Sequence, residues 1–225
     1  MNVLQHTRNE LNLCPKENRP DRSYRDTLLI AVFDGHLSKR YHRIREGIPP
    51  LGIATSSDGQ FLIADYYSLK VFDSNGNFYM SVRPQSKTTS YIYDLARAIS
   101  DVDNTIYLLV TQLMSPRISS PEKFEVQVFN ETLDFPLRFS VGKGSGFNRM
   151  TVSGSKVFIL KEHKVVDLYH ARNGSYVGSF CEGIIESAQE IAASKDGRVM
   201  VLDLDQSCQL FNVDGLHLAN FSVNI

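Results

Sequence analysis

No apolar stretch in these 225 residues approaches the roughly 20 needed to cross a bilayer as a helix. Met1 is followed by polar and charged residues as far as Asp26. Neither a membrane span nor a secretory leader is legible, so the expectation is a cytoplasmic chain without a membrane partner. A charge excess of either sign is missing as well: 24 Lys and Arg stand against 25 Asp and Glu, a formal net charge of -1. That balance removes a global electrostatic drive toward nucleic acid, and any such attraction must come from a local patch. Cysteine is scarce. Cys14, Cys181 and Cys208 are odd in number and widely spaced, which gives neither a disulfide framework nor a paired zinc motif. Buried, reduced thiols are expected. The sequons at Asn130, Asn173 and Asn220 matter only in a secreted chain and are read as chance.

What is present is a repeat. The segment GIATSSDGQFLIADYYSLKVFDSNGNF, residues 52 to 78, meets a second copy in IAASKDGRVMVLDLDQSCQLFNVDG, residues 191 to 215. Asp58-Gly59 matches Asp196-Gly197, Asp65 matches Asp203, and Asn75-Gly76 matches Asp214-Gly215. Two weaker copies lie between, one from Asp94 into FEVQVFNETLDF and one over residues 150 to 180. Asp65, Thr111, Lys161 and Asp203 are taken as corresponding positions, and their spacing of 46, 50 and 42 residues marks a repeated supersecondary unit. The first copy reads as four short strands, LGIAT, FLIAD, LKVFD and FYMSV, with turn residues between them. Four antiparallel strands per repeat indicate an all-β propeller. YIYDLARAI has the local propensity of a short helix, and the repeat register overrules it in favour of a strand.

The pattern Pro50, Gly52-Ile53-Ala54, Asp58-Gly59, Ile63-Ala64-Asp65, Val71-Phe72-Asp73, Asn75-Gly76 and Phe78 resembles an NHL repeat, as found in the C-terminal propellers of tripartite-motif proteins. RFSVGKGSGFNRM, residues 138 to 150, is similar to that family's glycine-rich link between blades. The resemblance covers residues 28 to 223, strongly in the first and last full copies, and the absence of Trp argues against the WD-repeat form. It implies an NHL-type β-propeller of about four and a half to five four-stranded blades over residues 27–225, preceded by a polar tail over residues 1–26. TLLIAVFDGHLSKRYHRI, residues 27 to 44, supplies only two strands, so the ring is either cut from a longer one or closed in a divergent way. The cysteine and histidine pairs of a RING are missing from these residues, so ligase activity is not implied.

Blade topology sorts the turns onto two faces. Asp58, Asp73, Asp101, Asp103, Glu131, Asp134, Asp196 and Asp214 fall on the tight-turn face, where Asp is a turn former. Arg43, Arg45, Arg83, Lys87, Arg117, Lys123, Lys143 and Arg149 fall on the other, with Tyr66 and Tyr67. These ten residues are the candidate binding site: a basic loop face for an acidic protein segment, or for single-stranded RNA with bases stacked on the tyrosines. KRYHRIR, residues 39 to 45, reads as an outer edge strand protected by charge.

Catalytic chemistry has little to build on. Gly142, Gly144 and Gly146 lack both the G-K-S/T ending and the following helix of a phosphate loop. The innermost strands hold no histidine or cysteine, and His163 and His170 read as surface or edge residues. Asp65 and Asp203 read as acceptors for turn or inter-blade amides. The leading expectation is a non-enzymatic module, without cofactor or metal, presenting loops to a protein partner as part of a larger ligase or scaffold. RNA binding is the first alternative; a metal-dependent lyase or hydrolase of propeller type is the second.

Overall fold

The structure is a computed structural model that describes residues 2–4, 27–33, 39–45, 52–55, 59–65, 67–84, 90–97, 105–112, 122–130, 134, 137–144 and 149–222. Among the described residues there are strands and no helix. Sheet 1 joins β1 (Asn2–Leu4), β2 (Thr27–Phe33) and β3 (Lys39–Arg45). Sheet 2 joins β4 (Gly52–Thr55), β5 (Phe61–Ala64), β6 (Leu69–Phe72) and β7 (Phe78–Val82). Sheet 3 follows with β8 (Ser90–Arg97), β9 (Ile106–Gln112), β10 (Glu122–Phe129) and β11 (Leu137–Gly144). Sheet 4 holds β12 (Arg149–Ser153), β13 (Lys156–Lys161), β14 (Val165–His170) and β15 (Tyr176–Phe180). Sheet 5 holds β16 (Ala188–Ala193), β17 (Val199–Asp203), β18 (Ser207–Phe211) and β19 (His217–Ser222). Every sheet is an antiparallel meander in chain order, so sheets 2 to 5 are four four-stranded units of a propeller-like, all-β chain.

The chain divides into two compact units, Met1–Val82 with sheets 1 and 2, and Arg83–Ile225 with sheets 3 to 5. In the first unit, Asn2–Leu4 of the segment expected as a tail pair with Ala31–Phe33 of β2. β3, the basic stretch, is an edge strand of its sheet. In the second unit the first strands lie side by side, with β12 against both β8 and β16. β8 is a strand, not a helix: its residues pair with β9 from Ser90↔Gln112 to Arg97↔Ile106, with a bulge between Ile92 and Asp94. That ladder uses backbone groups which a helix would have satisfied internally, so pairing decides where propensity is weak.

Middle strands read as unbroken apolar runs because both their faces are covered. Phe61–Ala64 and Val157–Leu160 are buried at every position, whereas β7 and β15 are exposed at most of theirs. The hairpins between third and fourth strands are closed by Asx turns. Asp73 Oδ1 accepts from the Asn75 and Asn77 amides at 2.9 and 2.8 Å, and Asn212 Oδ1 from those of Asp214 and Leu216 at 3.0 and 2.8 Å. Asn130 Oδ1 accepts from the Asp134 amide at 2.8 Å.

These turns fix the repeat register. Counting back from Asp73, Asn130, His170 and Asn212, each third strand carries one polar residue at the same place: Lys70, Gln127, Asp167 and Gln209. Their ladder partners are Ile63, Leu108, Ile159 and Val201. The residues two further on are Asp65, Val110, Lys161 and Asp203. Val110, not Thr111, is therefore the equivalent in sheet 3. A shift of one residue would turn every side chain of β9 to the wrong face, and Val110 is fully buried.

Candidate functional site

Residues opposite one another in a ladder share a face of the sheet, so the register collects each face into rows. In sheet 3 one face holds Leu109, Val126 and Phe139 in one row and Tyr107, Val128 and Leu137 in the next. In sheet 4 the matching rows are Arg149, Leu160, Val166 and Phe180, then Thr151, Phe158, Leu168 and Gly178. In sheet 5 they are Glu190, Leu202, Cys208 and Phe221, then Ala192, Met200, Leu210 and Ala219.

The first two of these faces are interfaces. Tyr107, Leu109, Val126 and Val128 of sheet 3 pack with Met150, Val152, Val157 and Ile159 of sheet 4. Phe158, Leu160, Val166 and Leu168 of sheet 4 pack in turn with Ile191, Val199, Val201 and Phe211 of sheet 5. Each outer-strand aromatic also covers a turn of the following sheet: Phe139 lies against Gly174, and Phe180 against Gly215. On the third face exposure is mixed, with Cys208 at 3%. Phe158 and Leu160 are 0% exposed, but Met200 is 38% and Phe221 46% exposed, with Ala192 and Ala219 also open. Leu202 and Leu210 are half-buried beneath them. The one charge in these rows, Glu190, is held at 3.1 Å by Arg149 of sheet 4, so the centre of the face is uncharged.

The sheets are locked by polar contacts at their first strands and turns. Ser153 Oγ donates to the Ser194 carbonyl at 2.7 Å, and the Ala193 amide donates to Thr151 Oγ1 at 3.2 Å. Lys156 Nζ reaches the Val213 carbonyl at 3.1 Å and Asp214 at 2.7 Å. His163 is a latch, not the surface or edge residue expected from sequence. Its Nδ1 donates to the Ala188 carbonyl at 2.6 Å, and its own carbonyl accepts from the Ala188 amide at 2.7 Å. Glu162 and His163 form a tight turn with φ of 49° and 60°, a left-handed geometry unfavourable for both side chains, which these two bonds hold in place.

Asp65 and Asp203 are amide acceptors, as the sequence suggests. Asp65 Oδ1 accepts from Tyr67 and Ser68 at 2.7 and 2.8 Å, and Oδ2 lies 3.0 Å from Lys70 Nζ. Burial alone would raise its pKa, but those amides and the Lys70 ammonium outweigh it and hold the carboxyl below its ordinary value of 3.8. Asp203 binds the link into β16, accepting from Glu186 at 2.9 Å and Ser187 at 3.0 Å. In sheet 4 the ion pair of sheet 2 is inverted, with Lys161 at the Asp65 position bound to Asp167 at the Lys70 position. Tyr169 Oη donates toward Asp167 at 3.2 Å or the Val141 carbonyl at 3.3 Å, and burial raises its pKa, with help from the Asp167 charge. Burial pushes the Cys181 thiol up to about 12, so it stays protonated and is not an activated nucleophile. Cys208 is buried as a free thiol like Cys181, and Cys14 lies outside the described residues.

The ten predicted site residues are placed unevenly. Tyr66, Lys87 and Arg117 lie outside the described residues. Arg43 and Arg45 stand two apart on β3 and Lys143 on β11, each known by its backbone. Lys123 and Lys143 are ladder partners, so β10 and β11 bring two of the bases together. Tyr67, Arg83 and Lys123 are exposed, and Arg149 is engaged by Glu190. On the tight-turn face Asp58, Asp101, Asp103 and Glu131 lie outside the described residues, while Asp73, Asp134, Asp196 and Asp214 sit in turns. Sequence reasoning missed Met200, Leu202, Leu210 and Phe221. The repeated Phe-Ser-Val at residues 139–141 and 221–223 was the available signal.

No protein family model matches this chain, and no curated protein matches it. Solved structures do. One is a protein of unknown function from Bacteroides caccae, 11% identical with a TM-score of 0.64, matched over 88% of this chain and 69% of that one. Another is BBS1N, in complex with ARL6DN, 10% identical with a TM-score of 0.59, matched over 89% of this chain and 64% of that one. At these identities the likeness is one of fold, and this chain spans about two thirds of the length of each.

Proposed function

We propose that this chain is a non-enzymatic, propeller-like interaction module of NHL type, akin to those of tripartite-motif proteins, which engages a protein partner. The observation that carries the reading is the exposed apolar pair Met200 and Phe221 on one face of sheet 5. Met200, Leu202, Leu210 and Phe221 occupy the register positions that sheets 3 and 4 use to bury their neighbours. A contiguous apolar patch of this kind on a folded chain marks an interaction surface. A structural neighbour offers a parallel, since BBS1N is found in complex with a protein, ARL6DN. His163 and His217 each have a structural role here, His163 on Ala188 and His217 against Gln209 at 2.9 Å, which supports display over catalysis.

The test is affinity capture from cell extract with three baits: wild type, Phe221→Asp, and a variant with Arg83, Lys87, Lys123 and Lys143 changed to Glu. A bound protein lost with Phe221→Asp and retained with the basic-face variant supports the reading. Loss confined to the basic-face variant would move the site to the loops. Lys123 and Lys143, opposite one another, are what such a loop site would start from. Binding that falls steeply with salt and survives only with RNA present would identify nucleic acid as its ligand.

A further inference from the structure

We infer that Asn75 is a site of spontaneous chemical modification, converting to aspartate and isoaspartate with loss of ammonia, while the matching turn at Asn173 is held against the same reaction. Asn75 and Asn173 are the two asparagines of the chain that are followed by glycine. The reaction begins when the backbone nitrogen of the following residue attacks the asparagine Cγ, and a glycine has no Cβ to block that approach. Asn77, Asn130, Asn212 and Asn220 precede Phe78, Glu131, Val213 and Phe221, whose side chains hinder it.

Both Asn-Gly pairs sit in hairpins between third and fourth strands, Asn75 between β6 and β7 and Asn173 between β14 and β15. At the attacking nitrogen the two turns are alike: Gly76 donates to the Asp73 carbonyl at 2.9 Å, and Gly174 to the His170 carbonyl at 2.8 Å. They differ at the carbon attacked. Asn173 Oδ1 accepts from the Ser175 amide at 3.0 Å, which fixes that side chain in an Asx turn. Phe139 of sheet 3 also seats on Gly174, where an added Cβ would collide with its ring, so this turn opens only by displacing an aromatic of the neighbouring sheet. The Asn75 side chain is exposed and makes no hydrogen bond among the described residues; Asp73 Oδ1 takes the backbone amides of Asn75 and Asn77 instead. Its Cγ is free to swing, and once the Gly76 amide leaves Asp73 the two atoms can meet. Exposed turns open locally at small cost. The Asp73 carboxylate opposes negative charge on the Gly76 nitrogen, but at an exposed turn water and salt screen it.

In the reaction Gly76 N–H gives up its proton, the nitrogen bonds to Asn75 Cγ, and the Cγ–Nδ2 bond breaks, releasing ammonia. Water then opens the resulting succinimide at one of its two carbonyls. Attack at the side-chain carbonyl leaves aspartate; attack at the main-chain carbonyl leaves isoaspartate, with the chain running through the former side chain. Isoaspartate lengthens the main chain by one methylene at the centre of the turn. Either product sets a carboxylate beside Asp73, whose own carboxyl is held below its ordinary value, chiefly by the Asn77 side chain, and is ionised. The modification therefore loosens the hairpin that joins β6 to β7.

Ageing the full wild-type chain at neutral pH and body temperature tests this, with peptide mass mapping over several weeks and isoaspartate counted by enzymatic methylation of the released peptides. The Asn75 peptide should deamidate at least several-fold faster than the Asn173 peptide and give isoaspartate as the main product. In concentrated urea, where neither turn survives, the two rates should converge. Asn75→Gln, aged alongside, should lose most of the isoaspartate signal. An unchanged Asn75, equal or reversed rates in the folded chain, the same ratio of rates in urea, or an isoaspartate signal that survives Asn75→Gln would each overturn the inference.

Discussion

Gly215 lies in the hairpin before β19 with φ of +86°, and a Cβ added there would come 2.7 Å from Cγ and Cδ1 of Phe180. Gly154, between β12 and β13, has φ of +54° and nothing within 4 Å of the same added atom. The pair separates two costs of replacing glycine. Gly154→Ala should lose the left-handed conformational term alone, about 1–2 kcal/mol. Gly215→Ala adds an overlap that Phe180 cannot relieve cheaply, because its ring is packed edge-on to Phe158 at 6.3 Å and against Phe211 at 5.1 Å. Overpacking of that kind costs a further 1–3 kcal/mol or so, for a total of about 2–5 kcal/mol. At about 2–4 °C per kcal/mol for a chain of this size, the melting temperature should fall by roughly 4–20 °C, against about 2–8 °C for Gly154→Ala. Differential scanning calorimetry of the two variants makes the comparison. Phe180→Leu in the Gly215→Ala background should recover part of the loss, so that the double variant is more stable than the sum of the singles. Equal losses at Gly154 and Gly215, or strict additivity with Phe180→Leu, would refute the claim that the outer-strand aromatic seats on the neighbouring turn.

The inverted ion pair allows a charge exchange. Asp167→Ala strips the half-buried Lys161 of its counter-ion and Tyr169 of one acceptor, a loss of about 2–3 kcal/mol in urea unfolding after allowance for solvent access. Lys161→Asp with Asp167→Lys rebuilds the arrangement that sheet 2 uses at Asp65 and Lys70, and should restore more than half of it. Asp65 gives a pH dependence of definite sign. Its carboxyl titrates below 3.8 in the folded chain, so its stabilisation is full above that value and is lost as pH falls through the lower, folded-state one. Asp65→Asn should be less stable than wild type by about 1–3 kcal/mol at pH 7, from weakened amide and ammonium bonds, and the gap should shrink in urea melts below pH 3.8.

Much of the local structure was legible in the sequence. The strands read at FLIAD, LKVFD and FYMSV lie within a residue of β5, β6 and β7, because turn residues such as Asp73 and Gly76 punctuate runs too short for helices. The amide-accepting roles of Asp65 and Asp203 were legible for the same reason, since a short carboxylate at a strand end has amides within reach. The middle repeats were harder. In sheet 3 the turn between β8 and β9 lacks the Asp-Gly pair that marks the register in the first and last copies, and Thr111 stood in for Val110.

What the sequence determined by itself is the repeating unit: short strands and hairpins marked by Asp, Asn and Gly, set by contacts within a few residues. Tertiary structure alone decided which faces those units turn to one another. Leu202, Cys208 and Phe221 become one row only through ladder pairing, and whether that row is core or surface depends on whether another sheet lies across it. Phe180 and Phe221 sit at the same register position, yet Phe180 packs on the Gly215 turn and Phe221 stands open. Burial belongs to the neighbour as much as to the residue, and a one-dimensional pattern carries no record of which neighbour that is.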